Sequence, residues 1–230
     1  QKRISNAENF STDLVHEIRN PLASLKSASE ILHDSRDSEQ RLKLVNILSH
    51  DVQRIERLIT DYSQMLKDEV ALSKEKFKKF DIFPIIQSVV EDYNNLYQVK
   101  RGIKIYCKND GNKNYNISGI ENRIEQIIAN LLDNAISFSE DNKNIEVKIS
   151  KNVDRQVVIN IIDEGEGFKE KDTSKIFKRF YSNRPDKFGQ HSGLGLNIVK
   201  NLVELHRGYI NASNRHQKKG ANIEIIFPKT

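Results

Sequence analysis

Cysteine is almost absent from this chain of 230 residues, with Cys107 the only one. No internal disulfide can form, and a lone thiol reads as a small core residue, so a reducing compartment fits. Glycine and proline are sparse, at ten and four. No Gly- or Pro-rich linker, low-complexity tract or internal repeat divides the chain. No run of about 18 apolar residues appears, so no segment reads as a membrane-spanning helix. No secretory signal pattern is visible either. A charge excess is also missing. The net charge is +5, but 37 basic residues are interleaved with 32 acidic ones. That pattern argues against a dedicated nucleic-acid arm and for a solvated surface or an anionic partner.

What is present is a globular composition, 37% apolar and 30% charged, enough for one or two domains with a core. The chain opens on QKRISNAENF, within a helical pattern, which predicts a fragment preceded by further chain. The first half reads as two long helices. In the second, Val45, Leu48, Val52, Ile55, Ile59, Tyr62 and Leu66 alternate spacings of three and four. That is a heptad seam, and a seam needs partner helices. Leu14, Ile18, Pro21, Leu25, Ala28 and Leu32 supply one, across the polar turn HDSRDSEQ. A single hairpin cannot bury both seams, so a homodimeric four-helix bundle is expected.

From about Lys79 the pattern changes. IFPIIQSVVEDY reads as a helix with Pro84 in its first turn. IKIYC, IEVKIS, QVVINIID, YINASN and NIEIIF read as strands, and longer helices are expected over 120–138 and 194–206. The expected class is α+β, a sheet with helices on one face.

Three constellations carry chemistry. On a helical wheel with Leu14 at zero, His16 lies at about 200° and Asn20 at about 240°, on the face opposite the seam. An exposed imidazole is partly neutral near pH 7 and can act as a nucleophile. The adjacent carboxylate of Glu17 can accept its other proton. Pro21 cannot donate to the Glu17 carbonyl, which predicts a bend just past His16. In IENRIEQIIANLLDNAISFS, Asn130 and Asn134 share a face with Gln126. Amide oxygens so placed suit a hard cation that keeps its waters and holds phosphate oxygens. In VVINIIDEGEGF a strand ends at Asp163, placed to accept from an exocyclic amine, before a turn that Gly165 and Gly167 allow. In HSGLGLNIVKNLVELHRG, Gly193 and Gly195 precede a helix whose N-terminus can hold phosphate. Neither the Rossmann fingerprint nor a P-loop is present. The polar stretch 170–192 reads as a mobile lid.

In this order the motifs resemble the catalytic core of the bacterial sensor histidine kinases of two-component signalling. HEIRNPLASL looks like the family's H box, NLLDNA its N box, DEGEGF its G1 box, IFKRFY its F box and SGLGL its G2 box. NAISFS is similar to an alphaproteobacterial envelope-sensing branch. The resemblance implies a dimerisation and phosphotransfer hairpin (1–75), then an α/β sandwich of the Bergerat type (79–230) that binds ATP and magnesium. It implies His16 as phosphoacceptor, Glu17 as its base, and Asn20 as the residue that positions water for removing phosphate from the partner. Asn130 and Asn134 would be magnesium-linked. Asp163 would bind adenine, and Gly165, Gly167, Gly193, Leu194 and Gly195 would line the nucleotide. The implied partners are a second copy and a response regulator's receiver domain, with no nucleic acid. A membrane would be reached only through a sensor segment outside this chain, which would be the cytoplasmic part of an inner-membrane receptor.

One departure stands out. Where many members carry a Lys or Arg three residues past the second Asn, then Tyr, this chain has Ser137 and Phe138. Arg179, Arg184 or Lys187 would then supply the missing charge. ATP-hydrolysing machines of the gyrase or Hsp90 kind share the nucleotide fold but lack a histidine hairpin.

Overall fold

The computed structural model describes residues 2–72, 75–112, 114–170, 172–181 and 193–230, with the side chains of 2–11, 13, 61 and 64–72 left aside. Two compact units emerge, one of Gln1–Leu72 with Ser182–Leu194, the other of Ser73–Tyr181 with Gly195–Thr230.

The first unit is a helical hairpin. Helix α1 spans Lys2–Asp34 and α2 spans Ser38–Leu72, so the turn is only residues 35–37. Arg41 fastens it, donating to the carbonyls of Leu32 and Ser35. The α1 helix passes through Pro21 without interruption, and Pro21 is buried. Burial recurs every seven residues: Leu14, Pro21 and Ala28 on α1, and Leu44, Asp51 and Leu58 on α2. On α1 these are members of the expected seam. On α2 the buried stripe lies one residue earlier than expected: Val45, Val52 and Ile59 are each about half exposed, while Leu48, Ile55 and Tyr62 are half-buried.

The second unit is an α/β sandwich. Strands β1 (Lys78–Asp81) and β3 (Asn116–Gly119) form a small antiparallel pair, which the sequence reading missed. The main sheet comprises β2 (Lys104–Asn109), β4 (Asn144–Lys151), β5 (Val157–Ile162), β6 (Tyr209–Asn214) and β7 (Ala221–Phe227), in the order β2-β4-β5-β7-β6. Only β2 and β4 pair in parallel. The buried face alternates as period two requires: Ile145, Val147 and Ile149 on β4 and Ile223, Ile225 and Phe227 on β7. Ile159 sits opposite Ile225 and Ile161 opposite Ile223. Cys107 on β2 is half-buried, and burial pushes its thiol up, away from the reactive thiolate.

Among the described residues three α-helices complete this unit: α3 (Phe83–Arg101), α4 (Glu121–Phe138) and α5 (Gly195–Leu205). Pro84 lies in the first turn of α3, as expected. Ile124, Ile127, Ile128, Leu131, Leu132 and Ala135 bury one stripe of α4. The buried ring of His206, just past α5, ties the unit together. Its Nε2 accepts from the Ile120 amide at 3.1 Å, satisfying a donor where α4 begins. Its Nδ1 lies 2.7 Å from the Leu202 carbonyl, which makes Nδ1 the protonated nitrogen. Burial holds its pKa below the ordinary value, so the ring is neutral. Phe77 stacks on it at 5.1 Å. Nearby, Arg123 of α4 holds Glu75 at 3.2 Å. The segment entering this unit is thereby pinned to α4 and α5.

Candidate functional site

The hairpin presents His16 and Asn20 exposed on α1, as the wheel predicts. His16 makes no hydrogen bond to any described residue. Glu17 does not turn to His16. Its Oε2 accepts from Nη2 of Arg54 on α2 at 3.2 Å. Arg54 is a residue that sequence reading passed over, because its partner lies 37 positions away.

In the second unit Asn130 and Asn134 lie on α4, Asp163, Gly165 and Gly167 follow β5, and Gly195 begins α5. Asp163 follows β5 and is only 7% exposed. Its Oδ1 accepts from the amides of Gly165 at 2.9 Å and Ala221 at 3.0 Å. Oδ2 has no partner among the described residues and is the acceptor available to an exocyclic amine. Burial raises the Asp163 carboxyl above the ordinary range, while the two amides and the Arg215 charge pull it back. Arg215 also donates to the Asp163 carbonyl at 3.1 Å. No local pattern signalled Arg215, since the atom it binds is backbone.

The glycines have separate reasons. A Cβ on Gly165 would lie 2.5 Å from the Phe138 carbonyl oxygen and 3.2 Å from Asp163 Oδ1. Gly167 holds φ at 80°, a left-handed conformation that favours glycine. We expect Gly165→Ala to lose roughly 1–3 kcal/mol of stability by overpacking and to displace the Asp163 carboxylate. Thermal unfolding and ATP titration would read both effects.

Asn130 and Asn134 are half-buried on α4. Asn130 Oδ1 comes within 3.6 Å of where a Cβ on Gly195 would stand, so it reaches the first residue of α5. Gly193 and Leu194 lead into that helix, with Gly193 at φ 75°. Amide oxygens beside a helix N-terminus fit a magnesium ion held chiefly by phosphate and water. Among the described residues no cluster of three or more His, Cys, Asp or Glu could hold a metal alone.

Ser137 explains the departure at its own position. It is buried, and its hydroxyl donates to the Asn134 carbonyl at 3.0 Å. A long cation there would start from a packed position. Arg179 is half-buried after the 3₁₀ turn Thr173–Phe177 and already takes part in an interaction. The opening of the expected lid is therefore ordered, with Tyr181 donating to Glu170. Arg184, Lys187 and the rest of the expected lid, 182–192, lie outside the described residues.

A cleft of about 360 Å³ opens beside Gly165, lined also by Phe138, Lys143, Glu164 and Arg215. Of the predicted nucleotide residues only Gly165 lines it. The asparagine face of α4 does not, so this cleft is not the phosphate site.

Comparison with known proteins agrees with this geometry. Residues 6–74 match the family described as His Kinase A (phospho-acceptor) domain. Residues 119–230 match the histidine kinase-, DNA gyrase B- and HSP90-like ATPases. The sensor protein ChvG of Rhizobium meliloti is 37% identical over 95% of this chain and 39% of its own length. ChvG of Agrobacterium fabrum is 35% identical over 95% of this chain and 38% of its own. The chain thus spans about two fifths of the length of these relatives. The crystal structure of histidine kinase ThkA, in complex with response regulator protein TrrA, covers all of this chain and 64% of ThkA, with TM-score 0.68 and 25% identity. With a phospho-acceptor hairpin followed by an ATPase sandwich, in the order and at the positions the motifs occupy, this chain belongs to the sensor histidine kinase family.

Proposed function

We propose that this chain uses ATP to phosphorylate His16 and passes the phosphoryl group to an aspartate of a response regulator. The observation that carries the reading is the exposed His16, with no hydrogen bond to any described residue, in the same chain as an ATPase unit whose Asp163 offers a free carboxylate oxygen. The unprotonated ring nitrogen attacks the γ-phosphorus. An N–P bond forms, the bond from phosphorus to the bridging oxygen breaks, and ADP leaves. Glu17 takes the proton from the other ring nitrogen. Phosphoryl transfer asks the protein mainly for positioning and charge neutralisation. Asp163, Gly165 and Gly167 hold the base. Asn130, Asn134, Gly193, Leu194 and Gly195 face the phosphates, with Arg179 or a residue of 182–192 adding positive charge. Magnesium, when bound, supplies further neutralisation.

Residues 1–75 act as the phosphotransfer part and 79–230 as the catalytic part, with the segment between them as hinge. Asn20, one turn from His16, holds the water that removes phosphate from the regulator. A second copy covers the open stripe of Val45, Val52 and Ile59. The half-exposed Val15, Leu22 and Ile31 support that dimer. No helix among the described residues is long and apolar enough to cross a membrane. The relatives' greater length supports a sensor outside this chain that would anchor it to an inner membrane, with this portion cytoplasmic.

The test is incubation with γ-labelled ATP and magnesium. The protein should take up label that is lost in acid and kept in base, as a phosphoramidate is. No uptake, or an acid-stable ester, overturns the proposal.

A further inference from the structure

One arginine on the hairpin holds one carboxylate and stands three residues along α2 from another. Glu17 Oε2 accepts from Arg54 at 3.2 Å, joining α1 to α2. Asp51 stands three residues before Arg54, so the two share one face of α2. Asp51 is only 8% exposed, yet its Oδ2 is buried with no hydrogen-bond partner. Its buried heptad neighbours, Leu44 and Leu58, are apolar, and its only ion-pair partner among the described residues, His50 Nδ1, stands 3.8 Å from the other oxygen, Oδ1. A buried carboxylate oxygen without a donor is costly and calls for an explanation.

We infer that Arg54 is a positioning residue for histidine phosphorylation, exchanging between Glu17 and Asp51. The inference rests on the reading of Glu17 as the base for His16. Consecutive helical residues do not face each other, so Glu17 must turn along α1 to reach the imidazole. While Arg54 holds it, the carboxylate points to α2 and its charge is neutralised. When Arg54 swings to Asp51, the unpartnered oxygen gains its donor and Glu17 is released. The exchange makes and breaks one charge-assisted hydrogen bond at each end, so neither state is strongly favoured. The Arg54 and Glu17 side chains are 45% and 27% exposed, which makes the clasp weak and easily opened.

The experiment measures initial rates of His16 labelling in the full chain, with ATP affinity and thermal unfolding read in parallel. Arg54→Gln should label about two- to fivefold faster, the range an exposed ion pair supports. Arg54→Lys keeps the cation and should stay near the unmodified rate. Asp51→Asn removes the alternative carboxylate and should label about two- to fivefold slower, without loss of thermal stability. The combined Arg54→Gln, Asp51→Asn variant should label as Arg54→Gln alone does, because Asp51 acts only through Arg54. A merely structural Asp51 would instead slow both backgrounds equally, and that result overturns the exchange. So does Arg54→Gln labelling at or below the unmodified rate while Glu17→Gln is impaired. If Glu17→Gln labels normally, the base assignment itself fails and the exchange falls with it.

Discussion

His16→Gln abolishes labelling by ATP and leaves nucleotide affinity unchanged. This is the largest effect expected for any single substitution in the chain. A glutamine amide keeps size and polarity at an exposed helical position, so the fold has no reason to respond. What disappears is the nucleophile. An amide nitrogen has no lone pair free to attack phosphorus. Nucleotide binding persists because Asp163, Asn130, Asn134, Gly165, Gly167 and Gly195 all belong to the other compact unit. Labelling and equilibrium binding of a fluorescent ATP analogue, measured on the same preparation, separate the two. A labelled His16→Gln protein would mean that the phosphoacceptor lies elsewhere.

Asn134→Ala loses labelling through the metal, with the fold intact. Its neighbours Leu131, Leu132 and Ala135 carry the buried stripe of α4, while Asn134 itself is half-buried on the side that bears Asn130. Alanine is the best helix former, so the backbone does not suffer. Losing one oxygen that orders the hydrated ion should cost about 10- to 100-fold in activity at limiting magnesium, the range seen when a metal's supporting partners are removed. Raising magnesium should restore part of the rate. The readout is a magnesium titration of initial labelling, set beside circular dichroism of the same protein. Normal labelling across that titration would remove Asn134 from the metal's surroundings. A lowered unfolding temperature together with a lost rate would make its role structural instead.

Much of the chemistry was legible because it is local. His16 and Asn20 lie on one face by helical geometry alone. Asp163 ends a strand and the asparagines of α4 repeat at four, whatever the rest of the chain does. Glu17 was legible as a residue but not as a contact, since its partner Arg54 comes from the antiparallel helix. Arg215 was invisible for a similar reason: it supports Asp163 through a carbonyl 52 positions away. The short strands β1 and β3 were missed because four residues carry little periodicity. KKFD, moreover, sits in a run of lysines that reads as solvated charge.

The sequence by itself determined the longer helices and the five strands of the main sheet, in their order, because periods of 3.6 and 2 are properties of neighbouring residues. It also determined that α2 carries apolar side chains on more than one stripe. Only the tertiary structure decided which stripe meets α1. Leu44, Asp51 and Leu58 go inward while Val45, Val52 and Ile59 stay open. The two stripes differ by one residue, or about 100° of helix, and both satisfy the same heptad count. The turn at 35–37 and the register it sets between Glu17 and Arg54 settle the choice. Tertiary packing likewise turned His206 from an unremarked residue into the neutral link between α5, the start of α4 and Phe77. Its partners are set by how the chain folds back, which no local spacing encodes.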